Sequence, residues 1–191
     1  MMRVRALGII LAGTLAVVGV ASAAQQSRQQ PVSALKGHDS NAPIDVTSQR
    51  IEVQDRSDRA VFVGDVHATQ ADLTLDTQRL TVAYSTGQGG NDGVQINRLD
   101  AAGGVVVHSP SETAKGDFGI YDLDRKLITL IGNVQLIRDQ NRVNGSRLVI
   151  DLDSGRAVID GGPPGVNQSG GRVTGHFTVP QRQQPQQQKQ K

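Results

Sequence analysis

The chain has 191 residues, enough for one domain of medium size, and contains no Cys or Trp, two Tyr and three Phe. The lack of Cys excludes a disulfide framework, thiolate chemistry and a lipid anchor on cysteine. The net charge of +2 is unevenly distributed along the chain. Residues 44–179 carry 13 Lys and Arg against 17 Asp and Glu, a balance of −4. A mildly acidic body excludes a surface that follows nucleic-acid phosphates.

The first 24 residues have the pattern of a secretory signal peptide. A basic start, "MMRVR", precedes the apolar "LGIILAGTLAVVGV", and the small residues of "ASAA" predict cleavage after Ala23 or Ala24. The alternative is an uncleaved membrane anchor, since the apolar run Ala6–Ala24 has 19 residues, at the lower end of spanning length. The small residues favour cleavage, so we expect the mature protein in an envelope compartment outside the cytoplasm.

Two polar segments flank the predicted domain. Residues 25–43 are polar, contain Pro and lack periodicity, which predicts a disordered linker. Residues 180–191, "PQRQQPQQQKQK", form a Gln-rich tail that cannot bury a core. Between them, apolar and polar residues alternate, as in "DLTLD" and "RLVIDLD", and this period of two is typical of half-buried strands. We therefore predict an all-β domain at 44–179.

The strands belong to a repeat of about 29 residues. The segments "QRIEV", "QRLTV", "GDFGI", "SRLVI" and "GHFTV" align, with central residues Ile51, Leu80, Phe118, Leu148 and Phe177 spaced 29, 38, 30 and 29 apart. The Gly-rich loop "STGQGGNDG" accounts for the one long interval. Units of this length, each with two or three short strands, predict a quasi-regular stack of hairpins.

A glycine recurs once in each unit, at Gly64, Gly104, Gly132 and Gly161. Glycine inside a strand pattern marks a bulge or a bend. Apolar residues stand two positions before and after it, as with Phe62 and Val66 around Gly64. A strand that bends while keeping one apolar face curves around an interior, which predicts a curved sheet sandwich or an open barrel lined by aliphatic side chains.

The repeated "FVGDV" and "LIGNV", in register with "SRLVID"-type strands, resemble the OstA-like family over about residues 44–162. The resemblance implies an open antiparallel β-jellyroll and a periplasmic protein that bridges lipopolysaccharide transport. It further implies an apolar interior for the acyl chains, head-to-tail stacking and jellyroll partners at the inner and outer membranes. The Gly-rich insertion at 85–93 and the Gln-rich tail depart from the family pattern.

On this resemblance we expect no enzymatic activity, and an interior whose aliphatic side chains shield acyl chains from water. The expected lipid-binding residues are Ile51, Val53, Phe62, Leu80, Val82, Phe118, Ile120, Leu130, Leu148 and Ile150. Two alternatives remain. One is a membrane-anchored relative within the same transport machine, and the other is a structural β-repeat protein with a dry core.

Other motifs predict structure rather than chemistry. The pairs Asp122/Asp124 and Asp151/Asp153 lack the further oxygen ligands of a calcium loop, so we assign them to tight turns. His67 and His108 have no Cys to complete a zinc site, and they are interpreted as surface residues. No nucleophile elbow or phosphate loop is present, so the sequence predicts no catalytic residue, metal or cofactor.

Overall fold

The structure is a computed structural model that describes Leu35 and residues 38–86, 93–162 and 171–179, all within one compact unit. The predicted signal peptide, the Gln-rich tail and most of the linker lie outside the described residues. Within those residues, no helix has the length and apolar character needed to cross a bilayer.

Ten strands form one antiparallel sheet, and a 3₁₀ turn at Asp55–Ser57 is the one helical element of the described ranges. The strands are β1 (Ile44–Thr47), β2 (Arg50–Gln54), β3 (Arg59–Gln70), β4 (Leu73–Thr86), β5 (Val94–His108), β6 (Thr113–Asp122), β7 (Leu127–Arg138), β8 (Asn141–Asp151), β9 (Arg156–Asp160) and β10 (Thr174–His176). The prediction of an all-β fold is confirmed.

Strands β3 to β8 pair in chain order, as expected for a stack of hairpins. Each edge of the sheet is divided between two short strands. At one edge β1 and β2 both pair with β3, and at the other β9 and β10 both pair with β8.

The long strands bend where their pairing shifts register, and glycines of the repeat lie at three of these bends. Register shifts lie between Val63 and Val66 in β3, between Ala102 and Val105 in β5, and between Ile131 and Val134 in β7. Each shift contains two successive residues with positive φ: Gly64–Asp65, Gly103–Gly104 and Gly132–Asn133. Glycine adopts this conformation without a steric penalty, so the "GD", "GG" and "GN" pairs determine where the strands turn.

The glycine alignment needs two corrections. Gly103, rather than Gly104, is the equivalent of Gly64 and Gly132, because an added Cβ there would meet the Cβ of Gln78 at 2.9 Å. Gln49 and Asp117 cover Gly64 and Gly132 in the same way. Gly161 follows the end of β9 and marks no bend within a strand; its carbonyl accepts a hydrogen bond from the Ser146 hydroxyl at 2.6 Å.

The bends divide the sheet into two layers. The first layer contains β2, β9 and the strand segments with Leu80, Leu99, Ile128 and Ile150; the second contains β1, β10 and the segments with Ala68, Leu75, Val107 and Leu136. The buried apolar side chains of both layers, except Val61, belong to one core cluster. A single sheet folded onto itself in this way is an open jellyroll.

The aspartate pairs form turns, as predicted. Asp122 Oδ1 accepts the Arg125 N–H at 3.0 Å, and Asp151 Oδ1 accepts the N–H groups of Asp153 and Ser154 at 3.0 and 2.9 Å. These backbone hydrogen bonds, those from Ser154 above all, lower the pKa of Asp151. In the described part of the chain no three His, Asp or Glu side chains come together as a metal site.

Part of the predicted linker packs on the sheet. Leu35 is buried in the core cluster, and His38, in the segment His38–Pro43, bonds through its ring to Gln70 and Asp72. Composition alone does not reveal these contacts, because the partners of this polar segment are side chains that lie more than thirty residues away in sequence.

Candidate binding groove

An apolar groove lies between the two layers, on the side away from the bends. Its cavity volume is about 50 Å³. The first layer contributes Leu99, Ala101, Gly119, Ile120, Tyr121, Ile128 and Leu130, and the second contributes Ile44, Ala68–Gln70, Leu73–Leu75, Val105 and Val107. Its lining, almost entirely apolar, is that of a site for an apolar small molecule.

The interior is closed at the bends and more open toward the mouth. Leu80, Leu130 and Leu148, which are 0% exposed, pack in one row of the first layer. Val66, Val105 and Val134 of the second layer are almost as deeply buried. A ligand therefore finds space along the mouth of the groove, whereas the bend side is already filled by side chains.

The groove presents few polar groups. Tyr121 points its hydroxyl inward, and burial raises the pKa of this phenol. The other polar residues of its lining are Thr69, Gln70 and Thr74, whereas the buried Glu112, which forms an ion pair with the half-buried Arg138, lines the small neighbouring cavity. The contacts of the apolar side chains with a ligand are non-directional.

Five of the ten predicted lipid-binding residues lie in the core on the inward face: Leu80, Val82, Leu130, Leu148 and Ile150. Phe62 is partly buried against the same cluster. Ile51 and Val53 are in register with the inward-facing Phe62 and Ala60, yet they are 54% and 57% exposed. They lie on the edge strand β2, which no further strand of the described sheet covers.

Phe118 and Ile120 differ from the expectation that they face the interior. Gly119 is paired with Ala101 and Leu130 in the inward row, so its two neighbours alternate to the outer face. Phe118 is accordingly 55% exposed. Ile120 also borders the groove, although its register places it outward. The repeat alignment was displaced by one residue here, and such a displacement exchanges the two faces of a strand.

Sequence reasoning missed most of the groove lining at the mouth, notably Leu99, Ala101, Val107, Tyr121 and Ile128. The alternation in "RLDAAGGVVVH" carries the signal for three of them, because Leu99, Ala101 and Val107 lie on one face once the bend at Gly103–Gly104 is included. Whether any lining residue binds lipid remains a prediction.

The histidines outside the groove behave as surface residues. His67 Nδ1 lies 2.6 Å from Asp76 Oδ1, and His108 Nδ1 lies 2.7 Å from Thr113 Oγ1; both contacts are exposed. Each is a pairwise contact between adjacent strands, on the outer face of the second layer.

These features define a class of protein: an open antiparallel jellyroll with an apolar groove between its layers. The family model described as "LptA/(LptD N-terminal domain) LPS transport protein" matches residues 45–156, more than half of the chain. The chain therefore belongs to this family of lipopolysaccharide transport proteins, and the OstA-like resemblance is confirmed.

Two further similarities concern the sequence and the fold. An uncharacterized protein of Rhizobium meliloti (strain 1021) is 31% identical over 121 residues, which are 62% of this chain. The match covers 65% of that relative's length. The crystal structure of LptH, the LptA-homologous periplasmic component of the lipopolysaccharide transport device of Pseudomonas aeruginosa, has the same fold. The two structures superpose with a TM-score of 0.63 and are 19% identical in sequence. The superposition covers 74% of this chain and 99% of LptH.

Proposed function

We propose that this protein is a non-enzymatic, periplasmic carrier that shields the acyl chains of lipopolysaccharide during transport from the inner to the outer membrane. The observation that supports this most is the apolar groove between the layers, which is open along one side. Family membership supports the transport role. In this proposal residues 1–24 are a cleaved signal peptide and residues 44–179 are the working domain.

The physical need for such a groove is large. Exposing an acyl chain to water costs about 0.8 kcal/mol per methylene, or about 10 kcal/mol for a chain of about twelve carbons. A lipid with several chains does not cross an aqueous gap unaided. Aliphatic contacts are non-directional, so a bound chain retains freedom to slide.

Ala101 and its neighbour Ala102 provide a matched test of the groove. Ala101 lines the groove, whereas Ala102 alternates to the outer face opposite Phe118. We expect Ala101→Leu to fill part of the groove and weaken lipid A binding, measured by native mass spectrometry, while Ala102→Leu leaves it unchanged. Thermal unfolding of both variants separates loss of binding from loss of fold, because an added side chain in a packed interior also destabilises.

The outcomes separate the alternatives. A protein that leaves envelope extracts without bound lipid, and that takes up no lipid A afterwards, would be a structural β-repeat with a dry core. Recovery of the full-length chain from detergent-extracted inner membrane would indicate the anchored relative. A mature N-terminus at Ala24 or Gln25 supports the periplasmic carrier.

Assembly with other jellyrolls is part of the proposal. The edges β1–β2 and β9–β10 each leave one side without a partner strand within the described sheet. Strands from β2 to β9 alternate in direction, so β9 of one copy is antiparallel to β2 of the next copy when the two are stacked by translation. Strand addition would then join one groove to the next, either between copies or with jellyroll partners at the two membranes.

A further inference from the structure

The described residues just before β1 pack against the wall of the groove. This segment, here called the strap, consists of Leu35 and His38–Pro43. Leu35 is 3% exposed and belongs to the core cluster that both layers share. The strap then reaches the β3–β4 end of the second layer and leads into β1.

Hydrogen bonds from the second layer hold one end of the strap. The His38 side chain is fully buried, with Nδ1 3.0 Å from Asp72 Oδ1 and Nε2 3.1 Å from Gln70 Oε1. Gln70 Nε2 donates to the carbonyl oxygens of Ser40 and Ala42 at 2.9 and 3.0 Å. Gln70 itself lines the groove, so the strap is attached to the groove wall.

The strap also contacts the first layer. Ser40 lies near the Tyr121 hydroxyl on β6, a buried group for which the described residues supply no hydrogen-bond partner. Leu35 lines a small cavity together with Val107, Ala114 and Leu136 of the second layer and Ile150 of the first. The strap therefore bridges the two layers at the opening through which an acyl chain would enter from the side.

The strap occupies apolar surface that a ligand would use. Val107 lines both the groove and the small cavity under Leu35, so the two spaces adjoin. Leu35 is the single large apolar side chain that the described part of the strap buries. A leucine side chain buries far less apolar surface than an acyl chain does, so an acyl chain that reaches this position is the stronger occupant.

We propose that the strap is a displaceable internal occupant of the groove, and that an acyl chain takes the position of Leu35 against Val107, Ala114, Leu136 and Ile150. This inference rests on the proposed function and adds a step to it. In the free protein the strap keeps water from the apolar mouth, and in the loaded protein the strap is released. The binding equilibrium then includes the opening of the strap.

A single thiol reports on the strap, because the chain has no Cys of its own. Leu35→Cys places the thiol at the buried position of the strap itself. Ser111→Cys places a control thiol on the exposed β5–β6 turn. Maleimide labelling is followed with and without saturating dansyl-undecanoic acid, a fluorescent acyl probe. We expect the probe to accelerate labelling of Leu35→Cys by about tenfold or more and to leave Ser111→Cys unchanged.

A second measurement avoids any disturbance of the Leu35 position. His38→Ala removes both ring contacts of the strap, whereas His67→Ala removes an exposed His–Asp contact on the outer face. Because a weaker internal occupant competes less, we expect His38→Ala to tighten binding of the probe by about threefold or more, and His67→Ala to have no effect.

The outcomes distinguish a failure of the strap proposal from a failure of the proposed function. Probe binding without faster labelling of Leu35→Cys, together with unchanged or weaker binding by His38→Ala, would overturn the strap while leaving the carrier function intact. Absence of binding by both the probe and lipid A in every variant would overturn the two proposals together. Faster labelling with tighter binding by His38→Ala supports both.

Discussion

Asn133 donates a hydrogen bond from its side-chain amide to Asp117 Oδ2 at 2.8 Å, across the bend of β7. At the bend of β3 the two chemical roles are exchanged, because the amide of Gln49 donates to Asp65 Oδ2 at 2.6 Å. In both cases the residue outside the bend, Asp117 or Gln49, also covers the bend glycine. The repeat thus keeps the interaction while the amide and the carboxylate change places.

The bend at Gly132 predicts a large difference between two glycine substitutions. Gly132 has φ +80°, and an added Cβ would meet Asp117 Cγ at 2.9 Å. We expect Gly132→Ala to lower the free energy of unfolding by about 1–3 kcal/mol, measured by urea denaturation. Gly93→Ala is the control, since nothing lies within 4 Å of its added Cβ. Equal effects at both positions would contradict the role given to the bend.

The ion pair between Arg138 and the buried Glu112 predicts a strong effect of removing the arginine. Arg138→Leu takes away the cation that faces a buried carboxylate. We expect a loss of about 3 kcal/mol, at the lower end of the range for breaking a buried pair, since Arg138 is half-buried. Arg125→Leu is the control, because its contact with Asp122 is exposed and such pairs contribute about 0–1 kcal/mol. A small effect of Arg138→Leu would show that Glu112 tolerates burial without this cation.

The turn at Asp151 predicts a pH dependence of stability. Backbone hydrogen bonds lower the pKa of this carboxyl below its ordinary value of 3.8, so its contribution is present above about pH 4. That contribution is lost as the pH falls through the lowered pKa. We expect Asp151→Asn to reduce the urea midpoint at pH 7 and to lose this deficit toward pH 2, as the Asp151 carboxyl takes up its proton.

Asp124→Asn provides the comparison for this titration, because Asp124 is exposed in the preceding β6–β7 turn. It should leave the urea midpoint close to that of the parent protein at both pH values. A deficit of Asp151→Asn that stays constant from pH 7 to pH 2 would contradict the assignment to the charged carboxylate.

The edge strands predict a directional crosslink. Ile51 on β2 is paired with Phe62, and Ile159 on β9 is paired with Leu148, and both partners belong to the same inward row. Head-to-tail stacking brings Ile159 of one copy near Ile51 of the next. We expect a mixture of Ile51→Cys and Ile159→Cys to crosslink, while Ile51→Cys mixed with the outer-face Ile131→Cys does not. Crosslinking of each variant only with itself would indicate a two-fold contact instead.

Proline substitutions at the two edges test strand addition. Ile51→Pro is placed on the edge strand β2. Thr178 follows β10, and its N–H donates to Asn141 Oδ1 at 2.9 Å, so Thr178→Pro would remove an internal hydrogen bond. Ala157→Pro in β9 is the better partner for the opposite edge. Both edge variants should weaken concentration-dependent association, measured by analytical ultracentrifugation, with the core strands intact.

The repeat pattern predicted the strands and the bends because both leave a periodic signal in the sequence. Alternation placed Leu148 and Ile150 inward, and the recurring glycine gave the turning points at Gly64 and Gly132. The inward face of β6 was predicted wrongly because its inward position is Gly119, which carries no hydrophobic signal. The strap was missed because His38 and Leu35 make their contacts across long sequence distances, which composition does not encode.

The bent hairpin has a consequence for how such proteins change length. One unit of about 29 residues carries the chain across the sheet and back, so an inserted copy adds two strands and leaves the direction of both edges unchanged. At a strand spacing of about 4.8 Å, each duplication lengthens the groove by about 10 Å. Duplication of a unit within this domain would therefore lengthen it in fixed steps. The two edge strands would keep the directions in which they pair with other jellyrolls.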